Sequence, residues 1–148
     1  MTFTHLLVPV DGSELSDQAV SRALELAGVL GARVTFVHAE PGLPMALAGL
    51  GEPMDSRTLE MLASASREQS QMILAEACRR AEESGIQAER LSLVNPMPHA
   101  AIVEAAGQVG ADLIVMASHG RRGIGALLLG SETQKVLTHC ALPVLVVR

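Results

Sequence analysis

A glycine-rich segment from Ser118 to Ser131 contains the residue types best suited to binding a phosphate group. Its glycines are Gly120, Gly123, Gly125 and Gly130. Glycine lets a backbone N–H approach an anion closely, and Ser131 begins a predicted helix whose amino end favours negative charge. Arg121 and Arg122 would add charge-assisted hydrogen bonds. The segment therefore predicts an anion site, and the alternative is a flexible connector with two solvated arginines.

The spacing in this segment differs from the two common glycine motifs for nucleotides. Gly125 and Gly130 have the separation of a Walker A loop, but Ser131 follows where that loop has lysine. The Gly123-Ile-Gly125 triplet lacks the third glycine of the dinucleotide fingerprint and does not follow the first predicted strand. Spacing alone therefore indicates phosphate binding without identifying the nucleotide.

Asp11 is a second candidate, because it comes at the end of the first predicted strand. A carboxylate at that place can accept hydrogen bonds from a ribose hydroxyl or an exocyclic amine. The alternative is that Asp11-Gly12 or Ser13 makes the turn into the first helix. The sequence leaves both interpretations open.

The histidines and cysteines have no spacing typical of a metal centre. The histidines are His5, His38, His99, His119 and His139. No H-x-x-x-H or HExxH pair occurs, so surface or strand-end positions are expected, and only His119 lies in the glycine-rich segment. Cys78 and Cys140 are too few for a disulfide framework or a CxxC site. We expect no protein-held metal and no catalytic residues, since the GxSxG elbow of a serine triad is also absent.

Short apolar runs alternate with helical patterns along the chain. The runs predict strands over residues 5–10, 33–39, 89–94, 112–117 and 143–147. The intervening patterns predict helices over residues 20–30, 55–84, 102–109 and 131–138. Ser131-x-x-Gln134 is a capping-box pattern at the start of the last helix, and residues 40–54 are interpreted as a long loop.

This alternation predicts one α/β domain over residues 1–148, a doubly wound, Rossmann-like parallel sheet between two helical layers. Right-handed crossovers favour the strand order 3-2-1-4-5. Ligands of such sheets bind beyond the carboxyl ends of the strands where the order reverses, here between strands one and four. Residues 9–12 and 117–120 both arrive there, so the two candidate segments should meet.

Composition excludes several partners. The net charge is −5 and the only aromatic residues are Phe3 and Phe36, so neither a basic face nor a base-stacking platform for nucleic acid is available. No apolar run approaches the ~20 residues that span a bilayer, and residues 1–5 do not resemble a signal peptide. We therefore expect a cytoplasmic protein that binds neither nucleic acid nor membrane.

The chain resembles the universal stress proteins over nearly its whole length. The resemblance is carried by Leu6-Leu-Val-Pro-Val-Asp-Gly-Ser13, Val37-His38, Pro98-x-x-x-Ile102 and Pro143-Val-Leu-Val-Val-Arg148. Its most specific part is Ala117-Ser-His-Gly120, nine residues, then Gly130-Ser131. This is similar to the signature of the ATP-binding branch, Gly-x-x-Gly, nine residues, Gly-Ser/Thr. The fold is also similar to that of adenine nucleotide alpha hydrolases.

The resemblance implies that ATP binds with Mg²⁺ or Mn²⁺ held through its phosphates. It implies that adenine and ribose are bordered by Pro9, Val10, Asp11 and Ala39. It implies that ribose and phosphates are lined by Met116, Ala117, His119, Gly120 and Arg121. It implies that the terminal phosphates are held by Gly130, Ser131, Glu132 and Thr133.

Two residues depart from the family pattern. Ala117 replaces the first glycine of the signature, which adds a methyl group and penalises positive φ. Pro96 replaces a common glycine and removes an N–H from the turn before Pro98. We expect weaker nucleotide binding from these changes.

The sequence leaves three possible functions open. The first is an ATP-binding stress-response or signalling protein, and the second is a slow ATP hydrolase of similar fold. The third is a nucleotide-free dimeric interaction protein. A homodimer through strand 143–147 is expected because this apolar edge strand has no lysine or bulge to protect it; the alternative is that the 40–54 loop covers it.

Overall fold

A computed structural model describes residues 2–42, 54–119 and 128–148. The strands are β1 (His5–Pro9), β2 (Arg33–Glu40), β3 (Ala88–Val94), β4 (Leu113–Ala117) and β5 (Val144–Val147). The helices are α1 (Glu14–Leu30), α2 (Ser56–Glu83), α3 (Pro98–Val109) and α4 (Ser131–His139). Every predicted element is therefore present, with boundaries shifted by up to six residues; the largest shift is in α1, which begins at Glu14 and not at residue 20.

The five strands are parallel and lie in the order β3-β2-β1-β4-β5, which confirms the predicted topology. Strand side chains alternate between two cores. Leu6 and Val8 pack with α1 and α2, whereas Leu7 packs with α3 and α4. The carboxyl ends of β1 and β4 are therefore neighbours at the point where the strand order reverses.

Helix ends follow the local chemistry of the sequence. The Ser13 hydroxyl accepts from the Ser16 N–H and caps α1, and the Asp55 carboxylate does the same for α2 through Thr58. Gly31 ends α1 with φ of 66°, a left-handed conformation that glycine adopts without a steric penalty. The predicted helix over residues 55–84 differs from α2 by one residue at each end.

The predicted capping box at α4 is wrong. Gly130 is the N-cap residue and Ser131 is already helical. The Gln134 side chain donates instead to the carbonyl oxygen of Leu129. Three other boundaries differ from the prediction. Val10 lies just outside β1, and α4 extends to His139. Helix α3 begins at Pro98, because proline fits the first helical position.

The longest helix, α2, touches the core only through its second half. Its buried residues are Ser70, Leu74, Ala77 and Ala81. Within the described ranges, no helix combines the length and apolarity that crossing a membrane requires.

Candidate functional site

The turn between β1 and α1 is held by its own side chains. The Val10 N–H continues the sheet by donating to the Val37 carbonyl at 2.8 Å. Asp11 Oδ1 accepts from the Ser13 N–H at 2.9 Å, while the Asp11 N–H donates to Ser16 Oγ at 3.2 Å. Gly12 has φ of 77°, so the turn needs glycine there. Asp11 therefore shapes this turn, and a ligand contact by its carboxylate stays a prediction.

The start of α4 is fastened to the end of β4 by three hydrogen bonds. The Gly130 N–H donates to the Ser118 carbonyl at 2.7 Å. Thr133 is only 2% exposed, and its hydroxyl lies 3.0 Å from the carbonyl oxygens of both Ala117 and Ser118. The single hydroxyl proton of Thr133 is therefore shared between these two main-chain oxygens. Thr133 thus positions α4, and its hydroxyl does not project toward solvent as a phosphate ligand would.

Gly130 is required here by close packing within the chain. A Cβ at this position would lie 2.9 Å from His119 Cα, His119 Cβ and the Ser118 carbonyl oxygen. That separation is well below ordinary van der Waals contact, and two of the three atoms belong to the backbone. The fold itself therefore requires glycine at position 130, in addition to the phosphate approach expected from the sequence.

The amino end of α4 has donors available for an anion. Its N-cap is a glycine with no side chain to accept from them, unlike Ser13 of α1 and Asp55 of α2. Gln134 provides the first N–H that bonds back within the helix, to Gly130 at 3.0 Å. The N–H groups of residues 131–133 therefore precede the intrahelical ladder and carry the positive end of the helix dipole.

Glu132, expected beside the terminal phosphates, directs its carboxylate elsewhere. Oε2 accepts from the His99 N–H at 2.8 Å and lies 3.0 Å from His99 Nδ1, while Oε1 lies 3.1 Å from Lys135 Nζ. Partial burial opposes ionisation, but the donors of His99 and Lys135 outweigh it and lower the pKa of Glu132. The Glu132 carboxylate caps the start of α3, and the Glu132 N–H is one of the N–H groups that precede the helical ladder of α4.

The remaining predicted site residues are distributed over three strands. Pro9 ends β1, Ala117 ends β4, and Ala39 is the penultimate residue of the neighbouring β2. Val10 packs toward α1 and α2, whereas Met116 is buried toward α3 and α4 at 6% exposure. Met116 is thus a core residue beneath the site. His119 is half-buried two residues after the end of β4, and Gly120 and Arg121 lie outside the described residues.

The structure shows the backbone at the two departures from the family pattern, while their effect on nucleotide binding stays a prediction. Ala117 is paired with Val147 in extended strand conformation, and no non-glycine residue in the described ranges has positive φ. The expected penalty on φ is therefore wrong. Pro96 sits in the β3–α3 turn, two strands away from β1, where the Met97 N–H already has an acceptor in Asn95 Oδ1 at 2.9 Å.

A buried polar chain near the end of β2 was not anticipated. His38 Nδ1 is 2.9 Å from Ser70 Oγ, Ser70 Oγ is 2.8 Å from Ser92 Oγ, and Ser92 Oγ donates to Glu40 Oε1 at 2.6 Å. His5 is the first residue of β1, as expected for a strand-end histidine, whereas His38 is buried inside β2, where neither a surface nor a strand-end position describes it. Polar residues at alternate positions of β2 were the available signal. This series of hydrogen-bonded side chains joins β2, α2 and β3 beside the candidate site.

Comparison with known proteins identifies the family. The sequence profile of the universal stress protein family matches residues 2–148. The chain belongs to the universal stress protein family. A universal stress protein of Thermus aquaticus is 36% identical over 146 residues, which cover 99% of both chains.

Solved universal stress protein structures share the architecture. One from Methanocaldococcus jannaschii superposes with a TM-score of 0.83, covering 99% of this chain and 96% of that one at 24% identity, which supports the fold. Another, a universal stress protein in complex with cAMP, superposes with a TM-score of 0.71 at 29% identity, covering 100% and 98% of the two chains.

Proposed function

We propose that this universal stress protein binds an adenine nucleotide, specifically ATP, in a stress-response or signalling role. The observation that carries the proposal is the amino end of α4, which Gly130 and Thr133 fasten to the end of β4, the strand next to β1, with its first N–H groups unused within the helix. Such an end attracts phosphate through hydrogen bonding and the helix dipole together. The related universal stress protein solved with cAMP supports an adenine nucleotide as the ligand.

The proposed contacts are those that the family resemblance implies. The main chain of 130–133 would hold the terminal phosphates, and His119, with Gly120 and Arg121, would border the preceding ones. Asp11 would accept from the ribose, while Pro9, Val10 and Ala39 would line the base. This assigns phosphate contacts to main-chain groups, since the Glu132 carboxylate and the Thr133 hydroxyl are engaged elsewhere.

The proposed Mg²⁺ or Mn²⁺ would be bound through the phosphate oxygens. No group of three or more His, Cys, Asp or Glu residues within the described ranges is arranged to hold a metal ion. Such hard cations prefer oxygen ligands and often keep most of their waters when they bind to a nucleotide. When bound, the ion would neutralise phosphate charge near the acidic Asp11.

We propose binding without fast catalysis. Phosphoryl transfer at enzyme rates needs a positioned nucleophile, a metal and a charge-stabilising group at the same place. Within the described part of the site, His119 is the one side chain beside the proposed phosphates that can serve as a base, and its Nδ1 is 3.1 Å from Ser118 Oγ. Turnover above about 1 s⁻¹ in a phosphate-release assay would favour the hydrolase instead.

We also propose a homodimer through β5, which is the last strand of the sheet order. The carbonyls of Pro143 and Val147 accept from β4, and successive residues of a strand face opposite edges, so the N–H groups of Val144 and Val146 point outward. Leu145 is 42% exposed on this strand. Antiparallel pairing of two copies about a two-fold axis would satisfy this open edge.

The decisive experiment identifies the ligand directly. Purified protein is denatured, and any released nucleotide is identified by chromatography. Nucleotide-free protein is then titrated calorimetrically with ATP and with GTP in the presence of Mg²⁺. We expect ATP to bind and GTP to bind much more weakly, because a pocket built from main chain near Val10 and Ala39 would read the adenine edge. Equal heats for the two nucleotides, or none for ATP, contradict the proposal and favour the nucleotide-free interaction protein.

A further inference from the structure

Two histidines that are far apart in sequence lie against each other where α3 meets α4. The ring centres of His99 and His139 are 5.5 Å apart, with the ring planes tilted by 41°. His99 is in the first turn of α3 and His139 is the last residue of α4. The pair lies outside the proposed nucleotide contacts, and its members have no motif spacing that would reveal it in the sequence.

The hydrogen bonds of the two rings determine which nitrogen carries the proton. His99 Nδ1 is 3.0 Å from Glu132 Oε2, and His139 Nδ1 is 2.8 Å from the Lys135 carbonyl oxygen. An ionised carboxylate and a carbonyl only accept, so each Nδ1 bears hydrogen. In both neutral rings the lone pair is therefore on Nε2. Metal-binding histidines are commonly held in this way, with Nδ1–H donated to a carboxylate or a backbone carbonyl.

We propose that His99 and His139 form a binding site for a transition metal ion of the Zn²⁺ class through their Nε2 atoms. Zn–N bonds are about 2.05 Å long, and each ring centre lies about 1.2 Å beyond its nitrogen, so two rings on one tetrahedral ion have centres about 5.2 Å apart. The observed 5.5 Å is close to that spacing. Water would complete the coordination.

The charges around His99 and His139 both favour and oppose the binding of a cation. Glu132 contributes a carboxylate whose lowered pKa keeps it ionised, and Lys135 opposes it with an ammonium 3.1 Å from Oε1. Cys140 follows His139 and is partly buried, but no third His, Cys, Asp or Glu in the described ranges joins the pair in one coordination sphere. The site is thus open and binds more weakly than a four-ligand structural zinc centre.

The test titrates Zn²⁺ into chelator-treated protein without nucleotide, by calorimetry, for the parent and three variants. We expect one ion per chain for the parent, at least a tenfold loss of affinity in His99→Gln and in His139→Gln, and unchanged affinity in Cys140→Ala. Circular dichroism establishes that each variant is folded. Absence of binding to the parent overturns the proposal. Affinity retained in both histidine variants means an adventitious ion only and overturns it as well.

A second measurement needs no variant and remains decisive if His99→Gln fails to fold. In ¹⁵N spectra of the parent, Zn²⁺ should shift the Nε2 resonances of His99 and His139. The internal control is His5, whose Nε2 is 2.7 Å from Thr35 Oγ1 in the core and should not respond. Shifts confined to other histidines contradict the assignment. Failure here leaves the nucleotide proposal untouched, because neither ring is among its contacts.

Discussion

The N–H of Gly130 donates a 2.7 Å hydrogen bond to the carbonyl oxygen of Ser118, which fixes the start of α4 against the end of β4. The two main chains approach so closely that a Cβ on Gly130 would lie 2.9 Å from that same oxygen. The junction therefore depends on glycine even before any ligand arrives. A bulky residue at position 130 would disturb the fold and any phosphate contact together.

Gly130→Ala is therefore expected to lower the free energy of unfolding by about 1–3 kcal/mol, the usual cost of overpacking. Urea denaturation measures it. The matched control is Gly107→Ala in α3, where an added Cβ meets no heavy atom within 4 Å. That variant should gain about 0.5–1 kcal/mol from helix propensity. A Gly130→Ala protein as stable as the parent contradicts the close packing.

Ser131→Pro tests the main-chain anion site without disturbing the helix. Proline is favoured at the first helical position, and Gly130 already has φ of −59° and ψ of 150°, which suits the residue before a proline. The substitution removes the Ser131 N–H together with the hydroxyl, so we expect ATP affinity to fall about tenfold, the value of one charge-assisted hydrogen bond. Calorimetric titration measures the change.

Ser131→Ala is the control for that experiment, because it removes the hydroxyl and retains the N–H. We expect its ATP affinity to stay within about threefold of the parent. If the alanine variant loses as much affinity as the proline variant, the hydroxyl and not the amide is the contact. Unchanged binding in both variants would place the phosphates away from α4.

His5 should make stability depend on pH in mildly acidic solution. Its burial and the nearby Arg33 lower its pKa below the ordinary 6.5, against the opposing effect of Glu89 and Asp112. Below pH 6.5 the unfolded chain therefore binds a proton that the folded chain does not, so stability present above this pH is lost as the pH falls. We expect the free energy of unfolding to decrease from pH 7 to pH 5.

Denaturation of His5→Gln at the same pH values isolates this contribution. The variant should be less stable at pH 7, yet show a shallower decrease toward pH 5. Asp112 and Glu132 have lowered pKa values from starting points of 3.8 and 4.5, so their losses begin only in more acidic solution. His139→Gln, at an exposed site, serves as control. Equal slopes for the parent and His5→Gln would disprove the assignment.

The proposed β5 dimer predicts different behaviour for two proline variants of this strand. The Val146 N–H faces the open edge, whereas the Val147 N–H faces β4, whose Ser118 N–H donates to the Val147 carbonyl at 2.8 Å. Val146→Pro should give a folded monomer, and Val147→Pro should lose a ladder hydrogen bond and stability. Light scattering and circular dichroism on both variants measure this. A parent that is monomeric at micromolar concentration rules the dimer out.

The order of elements and the topology of the sheet were available from the sequence alone. Apolar periodicity is a local property, so runs such as Leu6–Val8 and the stripe of α1 predict strand and helix without knowledge of their neighbours. Right-handed crossovers then leave few arrangements, and the predicted order 3-2-1-4-5 is the one observed. The same reasoning correctly brought Asp11 and Ala117 to neighbouring strand ends.

Tertiary structure decided which contacts the individual side chains make near the ends of β1 and β4. The resemblance implied that Glu132 and Thr133 hold phosphate, and the packing of α4 against α3 and β4 directs their side chains toward His99 and Ala117. Tertiary structure also joined His99 to His139 and buried His38 beside Ser70. These contacts depend on how helices rotate and approach in three dimensions. Residue spacing along one chain carries no record of that geometry, so the sequence predicted which strand ends are neighbours, and the fold determined which side-chain contacts form there.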